Sequence, residues 1–252
     1  MESGRWEPLF TASWDRVLMI HLEVDPVALA REVPFALDLW DGHAFVTLVA
    51  FTMRGMRPVV GGRVGAWLFG PIATHGFLNV RTYVRHGAEP GIFFLAEWLS
   101  NRLAAQLGPW TFGLPYRYGE LHYTHDWEGN VVEGRVKDLG LGAELRYHAT
   151  RGVDRSFERC DQGTCLEWLM ECYTAYTECR GRRRLFRVWH PPWPQVEVLA
   201  ELEDRRMLAE NWPWMSGGCV VGANYSPGFD GVWMGRPRPV ADGLSAGSGK
   251  TW

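Results

Sequence analysis

Apolar and polar positions alternate along FLNVRTYVR (77–85) with a period of two, the signature of a strand. One face carries Leu78, Val80, Thr82 and Val84 and reads as core. The other carries Phe77, Asn79, Arg81, Tyr83 and Arg85, too aromatic for open solvent and too charged for plain core, which suits a pocket wall. In the next predicted strand, GIFFLAEW, strict alternation groups Glu97 with Phe93 and Leu95, a carboxylate among apolar neighbours. An unpaired buried carboxylate is costly, so Glu97 is expected either to find an arginine or to hold a raised pKa. After the turn FGLPYRYG (112–119), Tyr116, Tyr118, Glu120 and His122 share one face, and Arg117 shares the other with Leu121 and Tyr123.

The remaining pattern fills in around these strands. Asp25-Pro26 predicts a short helix ending near Val33-Pro34, with aspartate as N-cap and proline at its first position. LDLWDGHAFVTLVAFTMRGMRP reads as two strands joined at Asp41-Gly42, a hairpin signal, and glycine-rich VVGGRVGAWLFGP as a loop. A helix from about Ser100 is expected to stop at Gly108-Pro109. YRYGELHYTHDW, NVVEGRVKDL and AELRYHATR form a predicted antiparallel meander. Thr164 and Glu167 make a capping box that opens a helix over CLEWLMECYTAYTEC, which would place Cys165, Cys172 and Cys179 near one face. LFRVWH and QVEVLAEL are strands around a rigid HPPWP, and GGCVVGANYSPGFDGVWMGRP supplies two more short ones. Strands dominate and no internal repeat is evident. The fold class is α+β, mainly antiparallel β and barrel-like, as one domain over 1–241 with a flexible tail over 242–252.

Composition narrows the function classes. In 252 residues, 46% hydrophobic and 22% charged, the chain matches a globular protein rather than a disordered or coiled-coil one. Its 14 Trp, 12 Phe and 8 Tyr favour packed strands and pocket walls, ahead of sugar stacking. A net charge of -3 with no basic block longer than RGRRR (180–184) argues against nucleic acid as partner. The N-terminal stretch lacks a signal-peptide pattern and no apolar run approaches a membrane span, so a cytoplasmic location with reduced cysteines, and no membrane partner, is the default. No cysteine pair has metal-ligand spacing, and His122 and His125 point to opposite faces of their strand, so no metal is expected. The terminal GSGKTW lacks the first glycine of a phosphate loop, where Leu244 stands, and leaves no room for the following helix. His190, at a strand end in WHPPW, suits a structural hydrogen bond or a site role. Oligomeric state stays open, a homo-oligomer included.

DGHAFVTLVAFTMRGMRP, LNVRTYVR, GIFFLAEWLSNRLA, FGLPYRYG, TCLEWLMECYTAYT, RVWHPPWP and ANYSPGFDGVWMGRPR, in this order from about Trp14 to Arg238, resemble the YqjF-like family of conserved bacterial proteins of unknown function. In that family an acidic residue often precedes the LNVRTYV strand; here Phe77 stands there, so no role for that acid carries over. The family resembles acetoacetate decarboxylase in fold, which implies a closed antiparallel sheet around a deep apolar pocket with helices outside. Such decarboxylases carry a reactive lysine, and a second lysine after it, directly behind a Gly-x-Pro turn. On Gly113-Leu114-Pro115 the first position is Tyr116 and the second Arg117. Neither forms an imine, because a phenol is no amine and arginine stays protonated. The only lysines are Lys137, on a charged hairpin end, and Lys250, in the tail.

These residues imply a pocket for a small, largely apolar molecule bearing a carboxylate, carbonyl or enolate, with no cofactor. Arg81 or Arg117 would hold the anionic oxygen, Tyr116 would donate to an oxyanion, and Glu97 would serve as general base or acid. Asn79, Tyr83, Tyr118 and His190 complete the expected ligand-binding set. Such a protein would be a lysine-independent lyase or isomerase with a closed cavity of several hundred Å3, on the order of known ligand pockets. The alternative is a carrier or protein-interaction module in which Arg81, Glu97 and Arg117 form a buried ion-pair network in a filled barrel.

Overall fold

A computed structural model describes residues 8–152 and 156–240; the expected tail, with GSGKTW and Lys250, lies outside them. In chain order the elements begin β1 (Pro8–Val24), α1 (Pro26–Leu29), β2 (Ala36–Leu37), β3 (Ala44–Pro58), α2 (Gly62–Phe69), β4 (His75–His86) and β5 (Glu89–Leu99). There follow α3 (Arg102–Phe112), β6 (Tyr116–Asp126), β7 (Val131–Asp138), β8 (Glu144–Arg151) and α4 (Cys165–Met170). The last are β9 (Thr174–Cys179), β10 (Arg182–Trp189), β11 (Val196–Asp204), α5 (Arg206–Asn211), β12 (Cys219–Gly235) and β13 (Arg238–Pro239).

The strands form one 13-stranded sheet that closes on itself twice, because β5 also pairs with β4 and β10 with β12. One ring runs β5-β6-β7-β8-β11-β12-β1-β3-β4 and the other β10-β9-β5-β4-β3-β1-β12. The strands common to both are therefore walls between two cores, and alternate residues feed each. In β1, Leu18, Ile20 and Leu22 enter one core, Val17 and Met19 the other. In β3 the split is Val46, Leu48 and Ala50 against Phe45, Val49 and Phe51. In β4, Leu78, Val80 and Val84 pack in the first core while Phe77 and Tyr83 pack in the second. This is why both faces of FLNVRTYVR are largely buried: the polar face looks into a second interior from Phe77 to Tyr83, and only Arg85 at its end is exposed. All pairings are antiparallel except β5–β6 and β5–β9.

Several local expectations change. Asp41 and Gly42 do make a tight turn with positive φ at both (48° and 85°), bridged by Trp40 and His43, but the strand entering it, β2, pairs with β4 rather than β3. The glycine-rich stretch after β3 is not a loop but contains α2. Helix α3 runs through Gly108-Pro109 to Phe112 and is capped by Gly113 at φ 73°; buried Phe112, against Phe10 and Phe186, holds the last turn in place. The helix behind the capping box ends at Met170, and TAYTEC, rich in β-branched and aromatic residues, becomes β9. Cys165, Cys172 and Cys179 thus share no helix face, and all five cysteines are free thiols. CVVGANYSPGFDGVWMG is one long strand, β12, rather than two, and within it Gly228 at φ 87° faces the Trp14 carbonyl so closely that a β-carbon would lie 2.0 Å away. The three-strand meander is present as β6-β7-β8.

Candidate functional site

The second core contains a cavity of about 70 Å3 whose floor is set by strand register. Met19, Val49, Asn79, Glu97 and Tyr116 lie side by side across β1, β3, β4, β5 and β6, each the direct partner of the next. The adjacent row runs His21, Thr47, Arg81, Phe94. Glu97 reaches this face because β5 bulges at Leu95, where pairing jumps from Val80–Ala96 to Arg81–Phe94. The bulge corrects the strict alternation expected for GIFFLAEW: Glu97 shares the cavity with Ile92 and Phe94, while Phe93 and Leu95 turn to the other core. Trp14, Phe51, Phe77 and Trp193 give aromatic walls, with Trp14 stacked on Trp193 at 5.8 Å and Phe51 on Phe77 at 5.2 Å.

The cavity concentrates buried polar atoms that make no hydrogen bond within the protein: Glu97 Oε2, Asn79 Oδ1, Arg81 Nε, Trp14 Nε1 and Trp193 Nε1. Buried polar atoms in folded proteins nearly always have partners, so such a cluster around one void marks a place built for polar contacts. Glu97, 3% exposed, has its pKa pushed well above the ordinary carboxylate value by burial, which favours the protonated carboxyl, the form that can donate. Beside it, burial and the Glu97 carboxyl push the Tyr116 phenol upward too. His190 packs against Trp14 and Trp193, and burial lowers its pKa to about 4. With Nδ1 donating to the Pro191 carbonyl at 2.8 Å, its Nε2 is left as an acceptor.

Arg81 is buried, yet no carboxylate pairs with it among the described residues. Its Nη2 donates to the Leu169 carbonyl at 3.1 Å, and the Tyr83 hydroxyl donates to the same oxygen at 2.8 Å. Tyr83 continues into Thr47 at 2.6 Å and then His21 at 2.9 Å. This chain fixes the guanidinium from behind. His21 is held neutral, its pKa lowered to about 3 by burial and by the Arg81 charge.

The structure brings Glu97, Tyr116, Arg81, Asn79 and His190 to one cavity but not the other expected residues. Arg117 points the opposite way, because the parallel β5–β6 register sets it beside Trp98 in the other core. There its guanidinium lies 5.0 Å from the Trp98 ring centre, donates to Asn211 and pairs with Asp138 at 3.6 Å. Tyr118 is 40% exposed and outside the cavity. Tyr83 borders a different hollow and serves the Arg81 chain instead. Nor do Arg81, Glu97 and Arg117 form the ion-pair network of the structural alternative. The cavity is smaller than the several hundred Å3 expected. Pattern reading missed Trp14, Trp193 and Met19 because the β1 strand and the HPPWP fold-back were not assigned to the pocket.

The profile of an uncharacterized conserved protein family, DUF2071 (COG2071), matches residues 11–222. The chain belongs to that family. It is 29% identical over 207 residues to the uncharacterized protein YqjF of Bacillus subtilis strain 168, covering 79% of each chain. Among solved structures it is similar to the enduracididine biosynthesis enzyme MppR complexed with pyruvate, at TM-score 0.63 and 18% identity over 94% of this chain and 93% of that one. It is also similar to acetoacetate decarboxylase from Legionella pneumophila, at TM-score 0.63 and 14% identity over 97% and 94% of the two chains. An acetoacetate decarboxylase-like enzyme from Sphingomonas wittichii RW1 follows at 0.60 and 18%, over 93% and 94%. This DUF2071 chain thus has the acetoacetate decarboxylase-like fold. Lys137, the one described lysine, lies on β7 away from the cavity.

Proposed function

We propose that the cavity binds the carboxylate and adjacent carbonyl or enolate of a small, largely apolar molecule. The observation that carries this is the set of unpartnered polar atoms around the void, with a lone buried guanidinium among them. An uncompensated buried charge costs several kcal/mol, roughly, and an anionic ligand removes that cost. A ligand carboxylate would meet Arg81 and its carbonyl oxygen would accept from neutral Glu97 and from Tyr116. MppR holds pyruvate in a related fold, which supports an oxo acid as the ligand class.

The chemistry such an arrangement suits is proton transfer beside the carbonyl. Glu97 enters neutral and so acts as acid, giving its proton to the carbonyl oxygen as the α-proton passes to the His190 Nε2, the unprotonated acceptor; the reverse transfers restore both groups. A Schiff base is not part of this reading, since the Gly-Leu-Pro turn delivers a phenol and no described lysine lines the cavity.

The test is solvent exchange. 2-Oxobutanoate incubated with the protein in D2O is expected to lose its C3 proton signals in NMR spectra faster than in buffer, and Glu97→Gln is expected to abolish the acceleration. Binding without exchange in the wild type would make the protein a carrier; no binding of any oxo acid would refute the ligand class.

A further inference from the structure

A second chamber of about 350 Å3 lies against the first, and Phe77, Phe112 and Tyr116 line both. Apart from His75 and Thr111 its walls are apolar, with Met56, Phe69 and Ile72 on one side and Leu107 on the other. His75 borders it, 6% exposed, with neither ring nitrogen in a well-formed hydrogen bond and with its pKa lowered to about 4 by burial, so no charge opposes an apolar guest. The chamber sits between α2 and α3, where Leu107 and Trp110 are exposed at its rim.

We infer that the ligand is an amphiphile: a carboxylate head in the inner cavity and a hydrocarbon tail in this outer chamber. The inference rests on the head-group reading above. Size requires two parts. A dry cavity of about 150 Å3 accepts benzene, so 70 Å3 holds only a head group of a few non-hydrogen atoms, while 350 Å3 holds a tail of roughly ten to fourteen carbons. Charge agrees, since α2 and α3 carry Arg63 and Arg102 and no carboxylate, which suits the approach of an anion. Tyr116 stands at the junction. Its ring rests on Gly108 of α3, where a β-carbon would come within 2.0 Å of it, and meets Phe77 edge-on at 6.0 Å. The ring stands between head and tail, since Tyr116 lines both chambers.

Calorimetric titration of the straight-chain acids butanoate, hexanoate, octanoate and decanoate tests this. Affinity is expected to rise about three- to fourfold per added methylene through decanoate. Thr111→Trp, at an exposed helix position lining the outer chamber, is expected to weaken decanoate at least tenfold and leave butanoate unchanged; Leu107→Trp serves the same purpose should that variant fail to fold. Arg81→Gln is expected to weaken all four. Acids that bind with no dependence on chain length, or decanoate binding untouched by either tryptophan, would overturn the tail chamber and leave the head-group reading standing. Failure of all four acids and of 2-oxobutanoate to bind would overturn both.

Discussion

Gly108→Ala is the sharpest test of how the turn places Tyr116. In an ordinary helix interior this substitution stabilises by about 1 kcal/mol, from helix propensity. Here the added β-carbon would fall 2.0 Å from Tyr116 Cε2 and 2.2 Å from Cδ2, inside any tolerable contact. The ring has little room to yield, with Phe77 edge-on beside it and Phe112 lining the same two chambers. Overpacking of this kind costs about 1–3 kcal/mol. Net of propensity, the variant should lose up to about 2 kcal/mol, and at about 2–4 °C per kcal/mol for a chain of this size its Tm should fall by several degrees. The assay is thermal and urea unfolding of Gly108→Ala, Tyr116→Ala and the double variant. With the ring gone the sign should reverse, so that Gly108→Ala stabilises the Tyr116→Ala protein by about 1 kcal/mol. Stabilisation by Gly108→Ala in the wild-type background would show that the ring does not rest on α3, and the junction between chambers would go with it.

Arg117→Ala should destabilise by about 1–3 kcal/mol, through loss of the Trp98 contact and of the partner to buried Asp138, while leaving oxo-acid binding unchanged; loss of binding in a folded variant would return Arg117 to the site. Burial raises the Glu97 pKa in the folded protein, whereas an unfolded glutamate ionises near about 4.3. The native state therefore holds the extra proton above that pH, and stability due to this residue falls as pH rises from there to the raised folded value. Glu97→Gln should accordingly be more stable than wild type at pH 7 and equal near pH 4, as measured by urea unfolding at both pH values. His21, His75, His125 and His190 act in the opposite sense, because their pKa values are lowered to about 3 or 4 by burial. The unfolded chain binds the extra protons, so their contribution is complete above about pH 6.5 and lost on acidification, by about 2 kcal/mol each at pH 5; removing one, as in His125→Phe, should flatten the stability profile between pH 5 and 6.5.

The polar face of β4 was legible in the sequence because a period of two survives intact there, and Asn79 and Arg81 do look into the cavity. Glu97 was found as a carboxylate in an apolar setting, but its neighbours were misassigned because a bulge at Leu95 breaks the period and leaves no local mark. Arg117 was misplaced for a related reason. Alternation on β6 separated it correctly from Tyr116, but which face met the cavity depended on a parallel register to β5 that only the tertiary fold defines. α2 was hidden by its glycines, and TAYTEC was read as helix because a capping box predicts where a helix starts and not where it stops. The two cores were invisible for a topological reason: strands with two buried faces look like any apolar run until the double closure of the sheet is known.

In the proposed site a lone buried guanidinium and a protonated carboxyl receive an oxo acid. Titration of 2-oxobutanoate into the wild type, Arg81→Lys and Arg81→Gln at pH 7, followed by calorimetry, tests it most directly, with circular dichroism confirming that each variant is folded. Saturable one-to-one binding by the wild type, weaker binding by the lysine variant and at least a tenfold loss in the glutamine variant are expected. Equal affinity in all three folded proteins would contradict it.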